Sequence, residues 1–149
     1  MKTIIITLIS IIFLSNYAIA QKDEEKSMAY FEQANVYFDS KNYPLAIIYC
    51  DSAIAANTDN FEAYAYRGVC KVELKLYDEA IKDFDLALIL KNGYAEVYYF
   101  RGLCKMELGA NQGACEDWYE SYNLGYKKVM NLIKKYCQLE ESPDTEEEK

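Results

Sequence analysis

RGVCKVEL occupies residues 67–74, and RGLCKMEL occupies residues 101–108. The two octets start 34 residues apart and agree at six of eight positions; the two that differ exchange Val for Leu and Val for Met. Self-similarity at a fixed period of this length marks a stacked repeat, in which one supersecondary unit is written several times.

Sliding the sequence by that period gives three units, about 27–60, 61–94 and 95–128. In the second, residues 61–74 and 77–90 both place apolar residues three and four apart, the period of a helix with one apolar face. Lys75-Leu76 forms the short turn between them. The 2 prolines and 6 glycines are too few to punctuate many short strands. A helix with one apolar face cannot stand alone, so neighbouring units must stack to bury it. The expected fold is all-α, an α-solenoid of three helix–turn–helix repeats. Residues 129–139 (VMNLIKKYCQL) read as a C-terminal capping helix over the last apolar face. Gly68, Gly102 and Ala34 are small slots that let a paired helix approach, with Ala46, Ala80 and Ala114 expected opposite them and large aromatics filling the space beside.

The 34-residue pattern resembles the tetratricopeptide repeat family. That family places a large aromatic, then Leu-Gly, then Tyr on its first helix, and Ala, then Phe, on its second. The second unit holds Tyr64, Arg67-Gly68, Lys71, Ala80 and Phe84 in those slots. The third holds Tyr98, Arg101-Gly102, Lys105, Ala114 and Trp118, and the first Tyr30, Gln33-Ala34, Tyr37, Ala46 and Cys50. The family's closing proline is replaced by Thr58, Asn92 and Tyr126. The C-terminal pattern Ala114-Cys115-Glu116-Asp117-Trp118, Leu124-Gly125, Tyr136-Cys137 is similar to that of short exported repeat proteins of bacteroidete type.

The resemblance implies a concave groove lined by the first helix of each unit: Phe31, Glu32, Asn35 and Asp39, then Glu62, Tyr66, Val69 and Glu73, then Glu96, Phe100, Leu103 and Glu107. Aromatic and aliphatic in the middle and acidic at its edges, such a groove suits a protein or peptide partner that is apolar with some basic residues. Chaperone-binding members clamp a carboxylate terminus with Lys, Asn and Arg at five positions, here Phe31, Asn35, Tyr66, Glu96 and Phe100. Only Asn35 agrees, and Glu96 would repel a carboxylate, so no carboxylate-clamp chaperone binding is expected. The alternative reading of Tyr66 and Phe100 is plain packing against neighbours.

The remaining composition narrows the class. The chain has no histidine, which removes the commonest general base and metal ligand. It also has no CxxC pair and no phosphate-cradling glycine loop. Carboxylates such as Asp83, Asp85, Glu116 and Asp117 read as a solvated helix face. The expectation is a non-enzymatic scaffold or adaptor with no cofactor and no metal. The net charge of −8 argues against nucleic acid, which needs clustered Lys and Arg. Residues 140–149 (EESPDTEEEK) hold six acids and one lysine and are expected to be a disordered acidic tail.

At the other end, Lys2, the apolar run Ile4–Leu14 and the small-x-small Ala18-Ile19-Ala20 read as a signal peptide over 1–20, leaving a repeat domain over 21–139. The product would be periplasmic or secreted, or membrane-anchored if the segment stays uncleaved. In an oxidising compartment the 5 cysteines should pair where geometry allows. Cys70 and Cys104 occupy equivalent slots and point the same way, so they should not bond to each other. Antiparallel neighbours meet symmetrically about a turn, which makes Cys115–Cys137 the first choice. Cys50–Cys70 is second, and Cys104–Cys115 competes with the first; five small buried apolar residues is the alternative. An unpaired cysteine would allow a second function, a cell-envelope thiol protein, redox or holdase-like.

Overall fold

The computed structural model describes residues 2–137, with side chains from residue 21 onward. The acidic tail and the last two residues of the expected cap lie outside the described residues. The fold is an all-α helical repeat. Seven α-helices form among the described residues: α1 (Lys2–Asp39), α2 (Tyr43–Ala56), α3 (Phe61–Glu73), α4 (Tyr77–Leu90), α5 (Ala95–Glu107), α6 (Asn111–Asn123) and α7 (Met130–Tyr136), the last preceded by a 3-10 turn at Lys127–Val129. They fall into two compact units divided after Asn92. In the first, α1 packs on α2, α2 on α3 and α3 on α4; in the second, α5 packs on α6 and α6 on α7. Helix α1 runs unbroken through Ala20, where the sequence places its cleavage point, and α7 ends at Tyr136.

Each turn between paired helices is built the same way. Leu76 N–H donates to the Lys71 carbonyl at 2.9 Å and Lys75 N–H to the Val72 carbonyl at 2.9 Å, the double closure that ends a helix in a left-handed residue. The same pair of bonds recurs at Lys41-Asn42, Gly109-Ala110 and Gly125-Tyr126. Their left-handed residues have φ of 60° at Lys41, 61° at Lys75, 79° at Gly109 and 102° at Gly125. Asn42 and Asn60 start α2 and α3, their side chains accepting from Leu45 N–H at 3.3 Å and Ala63 N–H at 3.0 Å. Asn60 also donates to the Ser27 hydroxyl, which in turn donates to the Ala53 carbonyl at 2.8 Å. In the second unit the hydroxyl sits on the opposite helix: Ser121 donates to the Ala95 carbonyl at 2.8 Å.

Volume is matched slot by slot. A Cβ added to Gly68 would lie 2.6 Å from the Phe84 ring, and one added to Gly102 would lie 2.5 Å from Trp118 Nε1. The ring of the second helix, more than the expected alanine opposite, is therefore what demands glycine. Trp118 Nε1 donates to the Tyr99 carbonyl at 3.2 Å, satisfying its polar end inside the core. The first repeat, with Cys50 in the ring slot, carries Ala34 where the others carry glycine, and both are fully buried.

Two carboxylates read as solvated are buried instead. Asp83 is 2 % exposed and Asp117 is 4 % exposed. Arg67 grips Asp83 with Nε at 3.0 Å and a terminal nitrogen at 2.6 Å, and Lys71 adds its ammonium at 2.9 Å. Arg101 and Lys105 hold Asp117 with 3.0, 2.6 and 2.8 Å contacts. The Arg and Lys of each octet lie one helical turn apart, so both reach the same acid on the following helix. In the first repeat the corresponding slots hold Gln33, Tyr37 and Tyr49, and the two tyrosine rings stack 5.0 Å apart at 18°.

Asp83→Ala takes the buried anion from Arg67 and Lys71, leaving them only the exposed Asp51 at 2.6 Å and Glu79 at 3.5 Å, and should cost about 3 kcal/mol in urea unfolding. Replacing the whole trio by its first-repeat counterpart (Arg67→Gln, Lys71→Tyr, Asp83→Tyr) should recover most of that loss. Gly102→Ala should lose about 1–3 kcal/mol through overpacking, and should cost less in a Trp118→Leu background than in the unaltered chain.

Candidate functional site

In the first unit Phe31, Asn35 and Phe38 are spaced four and three along α1 and so share one helix face. The Tyr66 ring from α3 reaches the aromatics on both sides of Asn35. Its centroid lies 4.9 Å from Phe31 at 81° and 5.6 Å from Phe38 at 62°. Tyr43, at the start of α2, meets Phe38 edge-on at 5.7 Å. All four rings and Asn35 are half-buried, so the cluster is neither core nor free surface. Val69 is half-buried one turn beyond Tyr66, and Glu73 is exposed a turn further.

Carboxylates edge this cluster. Burial raises the Tyr66 hydroxyl pKa, and the charges of Asp39 and Glu62 raise it further. Burial and the Glu73 charge act likewise on Tyr43. Among the described residues, no ion pair joins Asp39, Glu62 or Glu73. Asn35 Oδ1 is shielded from water and has no hydrogen-bond partner among the described residues. A buried acceptor left so costs about 1–3 kcal/mol.

In the second unit Glu96, Phe100, Leu103 and Glu107 lie on α5 at spacings of four, three and four. Glu96 and Glu107 are exposed, and the half-buried Phe100 ring sits 5.0 Å from Tyr99 at 69°. Leu103 is half-buried and packs against the core formed by Ala114, Trp118, Val129, Ile133 and Cys137. Sequence reasoning omitted Phe38 and Tyr43. Phe38 was readable, being seven residues from Phe31 on the same face. Tyr43 reaches the cluster only because the Lys41 turn folds α2 back on α1.

Cys115 and Cys137 are joined in a disulfide, their Cα atoms 5.5 Å apart, which ties the end of α7 to α6. Cys50, Cys70 and Cys104 are free and wholly buried. Burial pushes the Cys50 thiol up to about 12, Cys70 to about 11 and Cys104 to about 12. Thiols so placed carry almost no thiolate near neutral pH. Among the described residues no group of three acidic, Cys or His side chains is placed to hold a metal ion.

Comparison with known proteins fits this architecture. The family model described as tetratricopeptide repeat matches residues 14–61. No curated protein matches the chain. Among solved structures, the chain is similar to the first TPR of Spaghetti (RPAP3) bound to the HSP90 peptide SRMEEVD, at 25% identity and a TM-score of 0.75 over 77% of this chain and 93% of that one. It is similar to the second TPR of the same protein, bound to the same peptide, at 27% identity and a TM-score of 0.68 over 70% and 97%. The Arabidopsis OM64 TPR domain shares the fold at 23% identity, with a TM-score of 0.73 over 76% and 94%.

The buried thiols set a pH window. Their folded pKa values lie above the ordinary 9.0, so below about pH 8 both folded and unfolded chains keep the protons. Between about pH 9 and 11 the unfolded chain releases them first, and stability should fall by up to about 1.4 kcal/mol per pH unit for each thiol. Urea midpoints without reductant should show that fall, and Cys50→Ala/Cys70→Ala/Cys104→Ala should lessen it. An unchanged slope in the triple variant would refute the burial of these thiols.

Proposed function

We propose that this chain, a tetratricopeptide repeat protein by its fold and its family match, is a non-enzymatic scaffold or adaptor that holds a peptide or protein partner against the first helices of its repeats. The observation that carries the reading is the half-buried aromatic cluster of Phe31, Phe38 and Tyr66, edged by Asp39, Glu62 and Glu73. Rings that are neither core nor solvated offer a rigid apolar platform at low conformational cost. Two structural neighbours are bound to the HSP90 peptide SRMEEVD, which supports peptide binding as the use of the fold. The ligand would differ. An acidic peptide meets Asp39, Glu62 and Glu73 here, and like charges brought together oppose binding. The partner is therefore apolar with some basic residues, and carboxylate-clamp binding is not part of this proposal.

We also take residues 1–20 as an export signal and place the working protein in the periplasm or outside the cell, a setting that suits the Cys115–Cys137 bond. The thiol alternative has less support, since Cys50, Cys70 and Cys104 are buried and protonated.

Affinity capture from the native envelope tests the reading. The chain should recover a reproducible set of proteins that Tyr66→Ala/Phe100→Ala fails to recover, while the variant keeps its helical circular dichroism. Equal recovery by both would refute the aromatic platform. In calorimetry the peptide SRMEEVD should give no saturable heat with the unaltered chain.

A further inference from the structure

The first unit's aromatic cluster has two features that peptide binding in general does not require. Among the described residues its carboxylates have no cation, although other acids of the chain are paired: Asp83 and Asp117 each hold two cations, and Asp51 meets Arg67 at 2.6 Å. Its central amide oxygen, on Asn35, is buried without a donor among those residues. We infer, building on the peptide-binding reading, that the face formed by Phe31, Asn35, Phe38, Tyr66 and the edging Asp39, Glu62 and Glu73 receives the arginine side chain of the partner.

The chemistry matches group by group. Ring faces attract a cation, more strongly where water is excluded. The edge-on contacts of Tyr66 with Phe31 and Phe38 set those rings at 81° and 62°, so they form the walls of a corner rather than a flat stack. A guanidinium is planar and weakly hydrated, so it can lie on one wall and still direct N–H groups sideways. Its five donors are enough to meet carboxylates on more than one edge of the cluster. Lysine offers a compact, strongly hydrated charge that fits a ring corner less well. The second unit lacks the set: the slot of Asn35 is taken there by Leu103, which packs into the core. The repeat units are thus unequal as binding elements, and the first carries the charge recognition.

A phage-displayed library of random 12-residue peptides, panned on the full chain, supplies the probe. Selected peptides should carry an arginine flanked by apolar residues. Resynthesis of one with citrulline, which keeps the shape and removes the charge, should weaken binding at least about tenfold. Asp39→Asn/Glu62→Gln/Glu73→Gln changes only exposed groups, so it should fold as before and bind arginine and citrulline peptides alike. Peptides without arginine, or with equal affinity after the citrulline exchange, would overturn the guanidinium inference; if those peptides are still lost in Phe31→Ala/Tyr66→Ala, the peptide-binding reading stands. Binders indifferent to Phe31→Ala/Tyr66→Ala, or no binders at all, would overturn both.

Discussion

A buried carboxylate between two cations sets the geometry of the second and third repeats. Asp83 and Asp117 are reached from the preceding helix by an arginine and a lysine four residues apart, and that spacing fixes how the two helices lie. The bidentate guanidinium is directional and allows little sliding along the axis. The glycine next to each arginine then sits under the ring of the second helix, where no larger residue fits. Clasp and close approach are two parts of one device, and the repeated octet is its written form. Desolvating three charges makes the net contribution to stability small; what such a clasp fixes best is register.

The first repeat reaches the same helix pairing without ions. Gln33, Tyr37 and Tyr49 replace the clasp by stacked rings, and Ala34 with Cys50 replaces glycine with an aromatic. The octet there has become QANVYFDS, residues 33–40, and the candidate binding face grows from that divergence. Asn35 stands where the other repeats have Val69 and Leu103, and Phe38 where they have Val72 and Met106. Positions freed from specifying the stack are the ones able to specify a ligand.

Much of this was legible in the sequence because the period was legible. The left-handed slots at Lys41, Lys75 and Gly109 recur at that same spacing of 34 residues. Charge was harder to read. Asp83 sits on an amphipathic helix beside Phe84 and looks like surface; only the arrival of Arg67 and Lys71 from another helix makes its burial affordable, and helix-to-helix arrival is not a local signal. The same limit applies to the site. Phe31 and Phe38 share a face by spacing, but their meeting with Tyr66 and Tyr43 depends on how α2 and α3 fold back. Leu103 packs against residues of α6 and α7, contacts that its slot on α5 does not announce.

The matched slots also bear on how such a gene can change. Two octets alike at six of eight positions invite recombination between them. A crossover that joined the first helix of one repeat to the second helix of another would keep glycine facing an aromatic ring if it ran between the second and third. Between the first and either of the others it would bring a methyl group against an indole or phenyl ring, or leave glycine opposite a thiol with a void between, and it would strand a carboxylate or its cations. The two later repeats share one pairing of glycine with a ring, and the first, which carries the candidate recognition face, is set apart from shuffling by its own volume.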